Sequence, residues 1–425
     1  LNEDGLRVTY IEGADRWRVT GATGSVENTS VYGIREISGD EILEKALNGS
    51  TIRIERTVKQ GDGSKVKVFF EKETIRANEI REQIEGKWLS WIAAESNRDA
   101  YVQVSEAFNQ KHNGWVAQKF DGSDIPLHGL STAFKPRFYQ RNAVARILRT
   151  GHAMLAHAVG AGKTLSMIMA AMEMRRLGKA RRPMIVVQNA TLGQFAHAYA
   201  QAYPNARIMV ADSNDLQKER RKAFLARIVS GDWDSVIIAQ STFDRLKMSP
   251  AAMIAFYNEK IDELIEALNQ AGDELTTKEL ERAIESTQKK IDAILDKQKK
   301  KETDDLITFE ELGVDALFID EAHAYKKPLF ATKIGNIVGL NKEASAAGTS
   351  TLMKVRHIQG KTRGRNVVMA TGTPVTNTFG EVWHMINFTA PDILRDAGVP
   401  TFDRFASTCG VIGQVLTTNA GGQQV

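Results

Sequence analysis

Gly160-Ala161-Gly162-Lys163-Thr164 decides how this chain is read. It follows the apolar run His152–Ala156 and opens the helical stretch Thr164–Leu177, with Gly178 placed to close that helix. Strand, glycine loop and helix in this order are the context a phosphate-binding loop requires. Glycines let backbone N–H groups converge on phosphate oxygens with no Cβ in the way. The helix N-terminus adds partial positive charge. Lys163 then reaches the β and γ phosphates, and Thr164 offers its hydroxyl to magnesium. The full pattern Gly-x-x-x-x-Gly-Lys-Ser/Thr has glycine where this chain has His157.

Working outward, strand-like runs recur at Met184–Val187, Arg207–Ala211, Ser235–Ala239, Ala316–Ile319 and Val367–Ala370, most of them separated by helical stretches. Alternating β and α predicts an α/β fold with a mostly parallel sheet and helices on both faces.

Asp320-Glu321-Ala322-His323 ends the run Ala316–Ile319. Carboxylates at the C-terminal end of a parallel strand stand where ligands bind in such sheets. Asp320 is placed to hold magnesium, and Glu321 to orient and deprotonate an attacking water. Ala370-Thr371-Gly372-Thr373-Pro374-Val375-Thr376-Asn377 ends another strand. Thr371 and Thr373 are placed to hydrogen-bond toward Asp320 or His323. The plainer alternative is a Gly-Thr-Pro turn.

These three motifs resemble those of the superfamily-two helicases, whose second motif is DEAH. The third is similar to that of the Swi/Snf-type double-strand translocases. The resemblance covers roughly residues 135 to 395 and implies a RecA-like lobe that hydrolyses ATP with Mg2+ while moving on double-stranded DNA. It implies that Gln140, in Phe138-Tyr139-Gln140, contacts adenine. It implies that His323, Thr371 and Thr373 couple the nucleotide site to the nucleic-acid face. It also implies nucleic-acid contacts by Asn189, Gln194, Ser241 and Thr242, although Gln188 stands where a proline is common. Lys326-Lys327 and Glu381-Val382-Trp383 fit the same pattern. More narrowly, Tyr32 through Thr373 is similar to the central part of the helicase–methylase proteins of phages, plasmids and conjugative elements. The methylase hallmark Asn-Pro-Pro-Tyr/Phe is absent, so a DNA methylase is expected outside this chain. Such motors carry arginine fingers on a second RecA-like lobe. Gln359 through Arg365 has the wrong spacing and position for them and is read as a basic loop. Rival readings are a nucleotide-gated binding module and the motor subunit of a restriction system.

Residues 1 to 125 read as a separate β-rich domain. Its runs are Leu6–Ile11, Trp17–Gly21, Thr51–Thr57 and Lys65–Phe70, with a turn at Gly61-Asp62-Gly63. A helix is expected over Glu73–Ala94, with Trp88, Trp91 and Ile92 packed on one face. The ATPase lobe spans 126 to 395, and 396 to 425 begins a following segment with a polar, Gly/Gln-rich end.

Residues 251 to 305 interrupt the lobe. Leu280, Ile284, Thr287, Ile291 and Ile294 recur at 4-3-4-3 spacing, a short coiled-coil seam. Ile261, Ile265 and Leu268 form the partner stripe, and Ala271-Gly272 the turn of a helical hairpin.

With 425 residues, 42% hydrophobic and 25% charged, the chain suits two or three ordinary globular domains. No apolar run approaches the ~18 residues of a membrane span. It opens at Leu1 rather than Met and shows no secretory signal, as expected of a piece of a longer cytoplasmic polypeptide. Cys409, the single cysteine, cannot form an internal disulfide. Net charge is +4, yet residues 251 to 310 hold 9 Lys/Arg against 15 Asp/Glu, a net −6 that leaves +10 elsewhere. Basic clusters stand at Arg175, Arg176, Lys179, Arg181 and Arg182, at Lys218, Arg220, Arg221 and Lys222, and at Lys361, Arg363 and Arg365. They either track a phosphate backbone or form solvated helix faces.

Overall fold

The structure is a computed structural model that describes residues 5–11, 16–21, 24–50, 52–59, 65–110, 118–211, 215, 220–269, 274–299, 308–332, 334, 344–376 and 378–410. Two compact units divide the chain, one mainly residues 1–116 and the other 117–409.

The first unit holds two antiparallel pairs, β1 (Arg7–Ile11) with β2 (Arg16–Thr20) and β3 (Glu55–Lys59) with β4 (Lys65–Phe69). Its helices are α1 (Gly39–Leu47), α2 (Glu71–Ala93) and α3 (Arg98–Phe108). Ile42, Ile52, Ile54, Ala77 and Ile80 form its core. The expected packing of Trp88 and Trp91 is corrected here. Only Ile92 of that trio is buried, while Trp88 is 53% and Trp91 49% exposed. Three residues apart on one helix, the two indoles stack on each other at 5.3 Å instead. The turn at Gly61-Asp62-Gly63 lies outside the described residues.

The second unit is built on six strands: β5 (His152–Leu155), β6 (Pro183–Val187), β7 (Ile208–Ala211), β8 (Ser235–Ala239), β9 (Ala316–Asp320) and β10 (Val367–Ala370). All pair in parallel, in the order β5-β10-β9-β6-β8-β7. The inner strands β6, β8 and β10 are buried on both faces because successive side chains alternate between two cores, while the edge strand β7 leaves Val210 exposed. Met184, Val236, Leu317 and Val367 face one core, and Ile185, Ile237, Phe318 and Val368 the other.

Helices α4 (Phe138–Thr150), α5 (Lys163–Arg176) and α6 (Leu192–Ala202) cover the second face. On the first face lie α7 (Arg221–Ser230), α8 (Gln240–Arg245), α11 (Ala346–Thr362) and α12 (Phe379–Thr389). Gly178 follows α5 at φ +67°, the left-handed position expected for it. Beyond α12, α13 (Pro391–Asp396) and α14 (Phe402–Cys409) pack Leu394, Phe402 and Phe405 around Trp383.

The helical hairpin is present as α9 (Pro250–Asn269) and α10 (Glu274–Lys299). Leu280, Thr287 and Ile291 bury themselves as the 4-3-4-3 spacing requires. The partner stripe is shifted, because Leu264 and Ala267 fill the seam and Ile265 is left exposed. Its turn at Ala271-Gly272 is outside the described residues. No described helix is long and apolar enough to cross a membrane.

Two of the basic clusters stand at the N-terminal ends of the strands, before β6 and before β10. Arg175 pairs with Asp232, and the Arg182 guanidinium donates to the carbonyls of Leu312 at 2.6 Å and Val229 at 2.9 Å. The first cluster thus partly ties the sheet's lower edge together instead of lining a free phosphate track. Lys218 of the second cluster lies outside the described residues.

Candidate functional site

Three chain segments meet at the C-terminal ends of the adjacent strands β5, β10 and β9. The loop after β5 turns through Gly160 at φ +81° and Gly162 at φ +76°, and Lys163 begins α5. Lys163 is buried, its Nζ donating to the carbonyls of His157 at 3.1 Å and Ala158 at 3.3 Å. Thr164, one residue on, is half-buried.

Gln140 is buried under this loop. Its amide nitrogen donates to the Gly162 carbonyl at 3.2 Å, and its amide oxygen accepts from the Arg137 N–H at 2.8 Å. Tyr139 also donates to the Ala161 carbonyl at 3.1 Å. Both ends of the Gln140 amide, the group expected to contact adenine, are thus held by the backbone at the glycine loop and at the start of α4. A Cβ on Gly162 would stand 2.4 Å from the Gln140 amide nitrogen, so this close approach requires glycine.

At the end of β9, Asp320 and Glu321 are half-buried neighbours. Burial, and then the Glu321 charge, hold the Asp320 carboxyl above its usual range against the pull of Lys163. Glu321 adopts a left-handed conformation, φ 49° and ψ 48°, uncommon for a residue with a Cβ. The Asp320 carboxylate accepts from the Glu321 N–H at 3.1 Å and fixes the turn.

The segment after β10 closes the site. Thr371 is buried, its hydroxyl 3.0 Å from His323 Nδ1 and 3.5 Å from Glu321 Oε2, and it accepts from the Thr373 N–H at 3.1 Å. His323 Nδ1 is also 3.1 Å from Glu321 Oε2. Thr373 itself is exposed. A Cβ on Gly372 would come 2.9 Å from the Val159 side chain and 3.7 Å from Lys163 Nζ, which measures how closely this segment lies on the glycine loop. Asn377 lies outside the described residues.

The residues expected to touch nucleic acid separate into two groups. Asn189 donates to the Ser241 hydroxyl at 2.8 Å and accepts from the Ser241 N–H at 3.2 Å, after β6 and β8 respectively. Gln194 is exposed on α6. Thr242 is fully buried, so its side chain faces the core and not a strand of DNA.

Sequence reasoning missed Gln240, whose amide donates to the Asp320 carbonyl at 3.1 Å and so ties the end of β9 to α8, the helix that carries Ser241. It also left Lys326 without a partner. The ammonium reaches Glu381 Oε1 at 2.9 Å and the Thr376 hydroxyl, and the Thr376 N–H donates to Glu381 Oε2 at 2.7 Å.

A family model described as a probable helicase domain matches residues 146–411. A second, described as a domain of unknown function, matches residues 1–114. The chain is 20% identical over 393 residues to the Defense against restriction protein B of Escherichia phage P1. That alignment covers 82% of this chain, which spans 16% of the relative's length. Among solved structures, it is similar to the Sulfolobus solfataricus SWI2/SNF2 ATPase core in complex with dsDNA, at 14% identity and TM-score 0.37, over 67% of this chain and 40% of that one. The Sulfolobus solfataricus SWI2/SNF2 ATPase core domain gives 12% identity and TM-score 0.33, over 69% and 42%.

Proposed function

This chain belongs to the probable helicase-domain family, and on that premise we propose that residues 126–395 are the ATP-binding lobe of a DNA-dependent translocase that hydrolyses ATP with magnesium. The observation that carries this reading is the meeting of Lys163, Asp320–Glu321 and Thr371 at the ends of three adjacent strands.

The residues fit Mg·ATP. Asp320 is a half-buried carboxylate pressed by a second one, an arrangement that a divalent cation relieves. Among the described residues no three His, Cys, Asp or Glu side chains are grouped to hold a metal. Asp320 and the Thr164 hydroxyl would therefore share the cation with phosphate oxygens. When bound, Mg·ATP supplies the phosphoanhydride to be cleaved and the cation that balances its charge.

This chain's own groups do the rest. Lys163 exchanges its two loop carbonyls for phosphate oxygens. The start of α5 at Lys163 and Thr164 turns the positive end of a helix toward the same anion. Glu321 orients the attacking water and takes its proton. His323 and Thr371 hold the Glu321 carboxylate. A second RecA-like lobe supplies the arginines that balance transition-state charge. Double-stranded DNA lies along the edge formed by Asn189, Gln194 and Ser241. The phage relative's name, which assigns it to defence against restriction, supports action on DNA.

The test is ATP hydrolysis by the full-length protein with and without duplex DNA. Magnesium-dependent turnover that rises on adding DNA is expected. Turnover indifferent to DNA would leave a nucleotide-gated binding module in its place.

A further inference from the structure

Lys354 lies in the middle of α11 with 0% of its surface exposed, although helix α11 turns Leu352, Val355 and Ile358 into the same core. Its Nζ donates to the Phe243 carbonyl at 2.9 Å and the Ser350 hydroxyl at 3.1 Å, and stands 4.3 Å from the centre of the Phe243 ring. Burying a cation costs several kcal/mol unless it is compensated. A methionine or leucine would fill this volume without that cost. The ammonium therefore needs a reason other than packing.

The reason lies in what it holds. Phe243 belongs to α8, a helix of only six residues. At its start, α8 presents Gln240 to the Asp320 carbonyl and Ser241 to Asn189. At its end, the Phe243 carbonyl is bound by Lys354. Burial pushes the Lys354 amine down to about 7, and Asp244, the residue after Phe243, pulls it back toward its charged form; the Asp244 carboxylate also accepts the Tyr325 hydroxyl at 3.1 Å. Tyr325 closes the turn Ala322–Tyr325 that begins directly after Glu321. A helix this short has little rigidity of its own. It is fixed from below by one buried ammonium and from the side by the Asp244–Tyr325 pair.

We propose that Lys354 is a positioning residue that sets the register of α8, so that Asp320 at the nucleotide site and the Asn189–Ser241 edge move as one body. This rests on the reading of that edge as the DNA-contacting part of an ATP-driven motor. Lys354 touches neither nucleotide nor DNA. It acts through Gln240 and Ser241.

The experiment compares the full-length parent protein with Lys354→Met and with the milder Tyr325→Phe, which deletes one hydroxyl. Both should bind a fluorescent ATP analogue with magnesium within about twofold of the parent. Basal hydrolysis without DNA should be equally close. The duplex DNA concentration giving half-maximal stimulation should rise at least tenfold for Lys354→Met and by a smaller factor for Tyr325→Phe. Backbone amide exchange supplies a readout independent of DNA. In the parent, Mg·ATP should protect residues 240–246 as well as 160–166, and in Lys354→Met only the second protection should persist. Unchanged stimulation and unchanged protection of 240–246 in Lys354→Met would overturn the proposal. So would an equal loss of nucleotide binding in both variants, which marks a structural support and nothing more. If the parent shows no stimulation by DNA, the motor reading falls, and amide exchange still decides the role of Lys354.

Discussion

His323 Nδ1 and the Thr371 hydroxyl lie 3.0 Å apart, a bond that joins the turn after β9 to the end of β10. The same nitrogen is 3.1 Å from Glu321 Oε2. One ring nitrogen thus serves both the carboxylate proposed as the base and the hydroxyl proposed to report on it. Thr371→Val keeps the shape and deletes the hydroxyl. It should leave Mg·ATP binding within about twofold and lower DNA-stimulated turnover by at least tenfold, about 1.4 kcal/mol. Combined with His323→Ala, the losses should be less than additive, since both variants cut one link. A strictly additive double variant would show that the two residues act separately.

Lys163 is the cation of the glycine loop, and its present partners are two carbonyls that a phosphate readily replaces. Lys163→Ala should weaken ATP binding at least tenfold, about 1.4 kcal/mol. Titration with a fluorescent ATP analogue checks this, and unchanged affinity would remove Lys163 from the site.

Asp320 and Glu321 adjoin, yet the proposed chemistry gives them different work. Glu321→Gln retains size and hydrogen bonding without basicity. It should bind Mg·ATP as the parent does and lose about 10²–10⁴-fold in hydrolysis. Asp320→Asn should instead lose the magnesium-dependent part of its affinity. Affinity with and without magnesium, beside single-turnover hydrolysis, separates them. Two variants with the same profile would deny the division.

His384 is 5% exposed, packed against Phe330 at 4.7 Å, and its Nδ1 finds no hydrogen-bond partner among the described residues. Burial pushes its pKa down from 6.5 to about 4, against the opposing pull of Glu381. The unfolded chain takes up this proton below about 6.5, and the folded chain resists until about 4. Stability should therefore fall as pH drops through that window, by at most about 1.4 kcal/mol per pH unit from this group. His384→Phe should flatten the fall. Urea unfolding at several pH values from 7 to 4.5 measures it, and identical slopes for the two proteins would exclude His384 as a source.

The hairpin of α9 and α10 meets the lobe at two places: Phe256, with Ala252, Met253 and Tyr257 beside it, enters the core of the first face, and Leu264, Ala267 and Leu280 cluster with Ala331. Its acidity argues against a role as the DNA surface. Replacing residues 258–305, which spares Phe256 and Tyr257 in the core of the first face, by a short Gly/Ser linker should leave a soluble protein that binds nucleotide, because loop length changes stability little. Insoluble protein, or loss of nucleotide binding, would show that the cluster at Ala331 supports the site.

What could be read from the sequence was whatever rests on local pattern. The six strands show themselves because most of their residues are buried and therefore apolar, the edge strand β7 with its exposed Val210 least so. The hairpin shows itself because Leu280, Thr287 and Ile291 keep a fixed period. Partners distant in sequence leave no such trace. In the sequence Arg175 reads as either a phosphate ligand or a solvated side chain, and Asp232, 57 residues away, leaves no local sign that the two pair. Lys354 stands in the polar-looking stretch Lys354-Val355-Arg356-His357, and only the position of Phe243 reveals that it is buried. Trp88 and Trp91 misled for the opposite reason, since aromatic residues usually find a core and these two find each other. Gln140 carried a recognisable motif, yet its contacts with Arg137 and Gly162 depend on how α4 meets the loop.

The strand order has a consequence for how the protein is made. β5 pairs with β10 in the sheet, and β10 is the last of the six strands to be synthesised. While the ribosome works through the intervening chain, His152–Leu155 can pack against α4 but has no strand to pair with. Such long-range pairing is the slow part of folding. The glycine loop hangs from the end of β5, so it gains a rigid base only when Val367–Ala370 has emerged and slipped between β5 and β9. A nascent chain stopped short of residue 367 holds every residue of Gly160–Thr164 and still lacks the strand that braces it. Completion of the sheet and bracing of the glycine loop therefore arrive together.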